Sequence, residues 1–285
     1  MFEINDLTYR YPTNEEDTLK GVSFSIDQGE IFGLLGPSGV GKSTTQNILI
    51  KLLDDYQGEI NYRGKSLASY GSDYYQEIGV DFERPVHFGK LTAAENLNFF
   101  KKLYKETADT DQLMERLGIY RDRNKKVGEF SKGMKVRLNF VRSLLNKPKM
   151  LFLDEPTAGL DPKNSRIIKD MIREFKDNGG TILLTTHLMN DVEELCDRVA
   201  FMVDGQIAEI NSPKNLKLAH GQRKLQVEYS DNGTTAQEAE FELENLGDND
   251  EFLNIINNKK IITMHTQEMT LDNIFIEVTG VDDHV

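Results

Sequence analysis

Two hydrophobic rhythms alternate along the chain. "FEINDLTY" and "GVSFSID" alternate apolar and polar residues, the period-two pattern of half-buried strands, and Asp27-Gln28-Gly29 follows as a turn. "EIFGLLG" is an apolar run of strand length that leads straight into a glycine-rich segment. After that segment, "KSTTQNILIKLL" carries apolar residues at helical spacing. "GEINYRG" and "QEIGVDFE" predict further strands. From Leu91 to Leu117 the pattern is helical, in "AAENLNFFKKLY" and "DTDQLMERL", and "MKVRLNFVRSLL" predicts another helix. "KMLFLDEP" is an unbroken apolar run, as expected of a strand covered on both faces of a parallel sheet. "SRIIKDMIREFKDNGG" reads as a helix with a glycine stop, "TILLTTH" as a strand, "LMNDVEELC" as a helix, and "RVAFMVDGQIAEI" as a hairpin about Asp204-Gly205.

Up to about Ile210 this alternation predicts an α/β fold with a parallel-sheet core, preceded by an antiparallel β region and interrupted by a helical region over about 84–145. Beyond His220 the texture changes. A hairpin in "RKLQVEYSDNGTTAQEAEFELENL", a helix in "DEFLNIINN", a strand in "KKIITMHT" and a closing helix in "TLDNIFIEVTG" predict a small α+β appendage. The expected domains are 1–220 and 221–285.

Composition narrows the function. The chain has 285 residues, 38% of them hydrophobic and 28% charged, enough to bury a full core. A formal net charge of −13 argues against duplex nucleic acid as the main partner. Cys196 is the only cysteine, so no intrachain disulfide forms, which fits a reducing compartment. "MFEINDLTYR" lacks the basic and apolar regions of a secretory signal, and no apolar run approaches the roughly 20 residues that span a bilayer. The expectation is a cytosolic protein whose membrane role, if any, is borrowed from a partner.

The glycine-rich segment is "GPSGVGKST", residues Gly36, Pro37, Ser38, Gly39, Val40, Gly41, Lys42, Ser43 and Thr44. It fits G-x-x-x-x-G-K-[ST] in the strand–loop–helix context that makes this motif a phosphate cradle. Glycines let successive N–H groups turn inward, and the helix N-terminus adds partial positive charge. Lys42 is expected to reach the β- and γ-phosphates of a nucleotide and Ser43 to hold Mg²⁺. Such a loop needs a carboxylate on a neighbouring strand. Asp154, ending "LFLD", is the candidate to orient Mg²⁺, and Glu155 the candidate to polarise the attacking water. An acidic pair capping a helix before Pro156 is the plainer alternative.

With these residues in view, "GPSGVGKST", "FSKGM", "LFLDEPTAGLD" and "TTH" occur in the order found in nucleotide-binding subunits of ATP-binding-cassette (ABC) transporters, which residues 1–220 resemble. The ending "TLDNIFIEVTG" is similar to the C-terminal segment of drug-exporter-like subunits of the ABC-2 type. The resemblance implies a P-loop NTPase cassette that binds MgATP between two head-to-tail copies, hydrolyses it, and drives export through a separate ABC-2-type permease. Membrane contact would come through that permease only, at the cytoplasmic face of the cell membrane, with no nucleic acid involved. It places Tyr11 against adenine, with Tyr9 a competitor. It places Ser131 and Gly133 against the γ-phosphate held by the partner copy, His187 against the γ-phosphate, and Asp161 in the loop that communicates across the dimer. Asp161 and Ser131 also read as plain helix N-caps.

Two departures from the family pattern stand out. The glutamine expected after "IGV" is Glu83, which as a carboxylate offers only acceptors; it can ligate Mg²⁺ or orient water but adds negative charge. The signature reads Ser-Lys-Gly-Met, so Lys132 adds positive charge and Met134 removes an amide. Phe99, Phe100 and Tyr104 in "NLNFFKKLY" are candidates for a permease-docking groove, against the alternative of ordinary core packing. A cassette acting on DNA or ribosomes is the first rival, opposed by the charge and by the single cassette. A degenerate cassette that senses ATP without hydrolysing it is the second, opposed by Asp154, Glu155 and His187. His87, His220, His265 and His284 show no metal-ligand spacing, and Cys196 reads as a core residue.

Overall fold

A computed structural model describes residues 1–84, 86–220, 224–230, 236–267 and 269–280; His284 lies outside them. The chain divides into two compact units, Met1–Ser212 and Pro213–Val285. The first unit runs β1 (Phe2–Tyr9), β2 (Leu19–Ile26), β3 (Ile31–Leu35), α1 (Lys42–Leu49), β4 (Gln57–Tyr62), β5 (Lys65–Ser66), α2 (Tyr74–Glu77) and β6 (Ile78–Asp81). It continues with α3 (Ala93–Lys101), α4 (Thr110–Arg116), α5 (Lys132–Ser143), β7 (Met150–Asp154), α6 (Pro162–Asp177), β8 (Thr181–Thr186), α7 (Met189–Leu195), β9 (Arg198–Val203) and β10 (Gln206–Asn211).

Two sheets organise this unit. The first is antiparallel, in the order β2-β1-β4-β5. Phe2 and Ile4 of β1 face the core while Glu3 and Asn5 face out by alternation; a bulge at Asp6, φ 51°, shifts the register so that Leu7 also faces the core. The second runs β10-β9-β3-β8-β7-β6, with every neighbouring pair parallel except the β9–β10 hairpin. β3 and β8 are buried along their whole length, which is why "IFGLL" and "TILLTT" show almost no polar alternation. One core joins the two sheets through α1, with Phe2, Phe32, Ile48, Tyr62 and Phe152 among its members.

The helical region holds α3, α4 and α5. Thr92 caps α3 reciprocally with Glu95: the Thr92 hydroxyl accepts from Glu95 N at 3.2 Å, and Glu95 Oε2 accepts from Thr92 N at 2.8 Å. The strand expected over "QEIGVDFE" is shorter than its pattern, because Gln76 and Glu77 close the single turn α2. Buried Tyr74 anchors that turn by donating its hydroxyl to Leu49 O at 2.7 Å.

The second unit contains α8 (Pro213–His220), β11 (Lys224–Ser230), β12 (Ala236–Glu242), α9 (Asp250–Asn258), β13 (Lys260–Gln267) and α10 (Leu271–Thr279). Its antiparallel sheet, β12-β11-β13, packs Leu225, Val227 and Phe241 with Ile255 of α9. In this unit α8 packs against α10 and buries Leu216. Among the described residues no helix is long and apolar enough to cross a membrane.

Candidate functional site

The site lies at the carboxyl ends of the parallel strands, where β3 gives way to the glycine loop and α1. The loop's shape depends on missing side chains. A Cβ on Gly36 would lie 2.2 Å from Met202 O, and one on Gly41 2.5 Å from a Leu19 methyl, in a backbone with φ 109°. Lys42 Nζ lies over the loop and donates to the carbonyls of Gly36 at 2.5 Å and Pro37 at 2.8 Å. Thr44 is buried; its hydroxyl meets the Tyr11 hydroxyl at 3.2 Å. Tyr11 is half-buried and meets Tyr9 edge to face at 5.0 Å, whereas Tyr9 belongs to the core.

Ser43 Oγ donates to Asp154 Oδ2 at 3.3 Å, and Thr185 Oγ1 donates to Asp154 Oδ1 at 2.6 Å. Burial raises the Asp154 carboxyl above the ordinary carboxylate range; the Thr185 and Ser43 hydroxyls oppose the rise, and Glu155 and Glu83 add to it. A carboxylate so placed gains from a neighbouring cation. Among the described residues no group of three His, Cys, Asp or Glu side chains is arranged to hold a metal alone. The donor set therefore suits Mg²⁺, which takes one or two protein oxygens and completes its shell with phosphates and water, and not a caged transition metal. Glu83 is exposed and lines the same groove as Ser43 and Asp154.

Glu155 occupies a left-handed backbone, φ 52°, unusual for a side chain of its size. Its carboxylate is 11% exposed. It accepts from Thr186 Oγ1 at 2.9 Å and from His187 N at 2.9 Å, and it meets His187 Nδ1 at 2.7 Å. His187 is open to solvent beside it. The chain thus brings Tyr11, Gly36–Thr44, Glu83, Asp154, Glu155 and His187 to one end of the sheet.

A second group continues from it through loop 155–161. Ser131 caps α5, accepting from Met134 N at 3.2 Å, and Asp161 caps α6, accepting from Lys163 N and Asn164 N at 3.1 Å each. These bonds hold the Asp161 carboxyl below the ordinary range, with the Asn164 side chain contributing most. A Cβ on Gly133 would contact Leu160 at 3.4 Å, and Lys132 lies along Gly159. Both capping alternatives are therefore present as geometry.

Several residues carry no sequence signal of their own. A groove of about 710 Å³ runs from Ser43 and Asp154 past Val86 and Phe88 to Phe100 and Tyr104. Val86 is 79% exposed, and Leu103, Phe99 and Phe88 are also exposed. Phe88 packs on Phe99 at 5.0 Å and on Phe100 at 6.0 Å. Of the three aromatics singled out from the sequence, Phe99 is exposed while Phe100 and Tyr104 line the groove. Arg142 of α5 donates to Val86 O at 2.7 Å and lies over the Phe100 ring at 5.0 Å. Thr185 and Thr186 become visible as partners of Asp154 and Glu155 only once β8 is set beside β7.

The chain is similar to proteins of one known family along almost its whole length. The family described as ABC transporter matches residues 19–158, and that described as fluoroquinolone efflux ABC transporter C-terminal domain matches residues 223–268. A fluoroquinolones export ATP-binding protein of Mycobacterium tuberculosis (strain CDC 1551 / Oshkosh) is 50% identical over 281 residues, covering 98% of this chain and 93% of that one. A solved ATP-binding subunit of an ABC transporter superposes with TM-score 0.71 and 28% identity, over 77% of this chain and 93% of that one. A dimeric, post-hydrolysis ATP-binding cassette bound to ADP and Pi superposes with TM-score 0.67 and 26% identity, over 74% and 98%.

Proposed function

The chain belongs to the ATP-binding subunits of ABC transporters, and we propose that it powers export of drugs of the fluoroquinolone class through a separate ABC-2-type permease. As a member of that family it binds and hydrolyses ATP, pairs with a second cassette and works with a membrane permease. The cargo class rests on the relative that is similar along almost the whole chain and on the matched C-terminal domain. The observation that carries the coupling is the groove. Its apolar end, at Val86, Phe88 and Phe100, fits a helix protruding from a permease, and its polar end is formed by Ser43, Asp154 and Glu83. Docking on that groove would hold the protein at the cytoplasmic face of the membrane.

In this reading Lys42 exchanges its bonds to Gly36 O and Pro37 O for β- and γ-phosphate oxygens. The Gly36–Thr44 backbone supplies N–H donors to the triphosphate, and Tyr11 offers its ring to adenine. Ser43 and Asp154, with Glu83 beside them, would hold Mg²⁺, which supplies charge neutralisation at the phosphates. Glu155 accepts the proton of the attacking water, while His187 and Thr186 hold its carboxylate. Ser131 and Gly133 of one copy, at the head of α5, face the γ-phosphate bound by the other, and Asp161 lies on the path between them.

Reconstitution with the permease in vesicles tests the coupling. Phe88→Asp is expected to abolish ATP-driven movement of a fluoroquinolone while leaving the ATPase rate of the isolated subunit within about twofold. Undiminished transport by that variant would overturn the docking assignment. ATP-driven transport that excludes fluoroquinolones would overturn the cargo.

A further inference from the structure

Glu155 holds a left-handed backbone that its surroundings must enforce, and its partner His187 stands on a separate loop. What ties the two loops together lies behind them. Two residues after Glu155, the buried hydroxyl of Thr157 donates to Asp191 Oδ2. Asp191 stands in the first turn of α7, four residues after His187. Its other oxygen pairs with Lys169 Nζ of α6 at 2.6 Å, with the two side chains 9% and 13% exposed. Lys169 also pairs with Glu194 of α7 at 2.6 Å, and Glu194 receives Arg173 as well.

We propose that Thr157, Asp191 and Lys169 form a positioning clamp that sets the Glu155 carboxylate against His187, so that hydrolysis depends on residues that do not touch the reacting atoms. The proposal rests on Glu155 being the base. None of the three bonds to the Glu155 carboxylate, which is held by Thr186 and His187. A buried ion pair of this kind is a poor way to gain stability, since apolar residues of similar size serve as well or better. It does fix geometry: a carboxylate with one oxygen committed to α6 and the other to Thr157 allows α7, and the His187 loop before it, one position against the turn that carries Glu155. Displacement of a reacting group by about an ångström costs on the order of 100-fold in rate, so loss of the clamp should appear in turnover and not in nucleotide binding.

The test uses the full chain and compares Thr157→Val, Thr157→Ser, Glu155→Gln and the double variant Thr157→Val/Glu155→Gln. Turnover, KM for ATP, affinity for a fluorescent ATP analogue and thermal midpoint are measured for each. Thr157→Val keeps the shape and loses the donor; its kcat should fall about 10- to 100-fold with KM and nucleotide affinity within twofold. Thr157→Ser, which restores the hydroxyl, should lie within about threefold of wild type. In the double variant the valine should cost nothing further, because the clamp acts through Glu155. Asp191→Asn serves if the valine variant does not fold, and should again lower kcat at unchanged KM. A Thr157→Val kcat within threefold of wild type, an undiminished valine effect in the double variant, or a loss that serine does not restore overturns the clamp while leaving Glu155 as base. Wild-type turnover by Glu155→Gln overturns the assignment of the base itself.

Discussion

Glu155→Gln separates chemistry from architecture because the structure sets the two costs apart. The carboxylate accepts from Thr186 Oγ1, from His187 N and at His187 Nδ1. A glutamine oxygen can keep the two His187 contacts. Its amide nitrogen would then face Thr186 Oγ1, which already accepts from Leu188 N at 3.0 Å and has a second lone pair to offer. Exchanging charge-assisted bonds for neutral ones at unchanged geometry costs about 1 kcal/mol. In a unit of this size that lowers the thermal midpoint by about 2–4 °C. Removing a general base costs about 10²–10⁴ in rate, roughly 3–5 kcal/mol of barrier. The kinetic loss should therefore exceed the structural one several-fold. Phosphate release at saturating ATP gives the rate, calorimetric titration gives nucleotide affinity, and size-exclusion chromatography with MgATP reports whether the uncleaved nucleotide holds two copies together. Affinity is expected to stay within threefold and the dimer to persist. A turnover within threefold of wild type would refute Glu155 as the base; lost turnover with a thermal midpoint lowered by more than 10 °C would refute the claim that geometry survives.

Two further variants probe the frame around that chemistry. Gly36→Ala drives a methyl to 2.2 Å from Met202 O; overpacking of this kind costs about 1–3 kcal/mol, and urea denaturation should show the loss alongside weakened nucleotide binding, whereas wild-type values for both would refute the close approach. His87 Nε2 donates to Lys135 O at 3.1 Å, and its pKa is pushed down to about 4, chiefly by burial and then by Arg142. Its unfolded form protonates near 6.5 and its folded form only near 4, so stability falls as pH drops through that window, by roughly 2 kcal/mol once partial solvent access is discounted. His87→Gln should remove this component from denaturation midpoints compared at pH 7 and 4.5, and parallel losses in both proteins would refute it.

Much of the site is local in sequence, and for that reason legible. The Lys42 loop and the caps at Ser131 and Asp161 are each built by a few consecutive residues, since backbone N–H groups and the first turn of a helix need nothing distant to define them. The strands β3, β7 and β8 announce a parallel sheet because burial on both faces leaves little polar alternation: only Asp154 and the three buried threonines of β8 break their apolar runs. The helical groove was legible only in part: Phe100 and Tyr104 carry the helical period, but Val86 and Phe88 lie in a loop without one.

Which groups exist can be read along the chain: a glycine-rich loop ending in Lys42, a strand-end Asp154-Glu155 pair, a histidine after a strand, and a second small unit of different texture. What those groups face depends on the packing of distant segments. Strand order β3-β8-β7 brings Thr185 onto Asp154 and Thr186 onto Glu155, and the packing of α6 against α7 brings Lys169 and Asp191 behind Thr157. These contacts join residues 22 to 34 positions apart. No local propensity encodes such a pairing, because its partners meet only after the loops between them close and the apolar faces of sheet and helices are buried together.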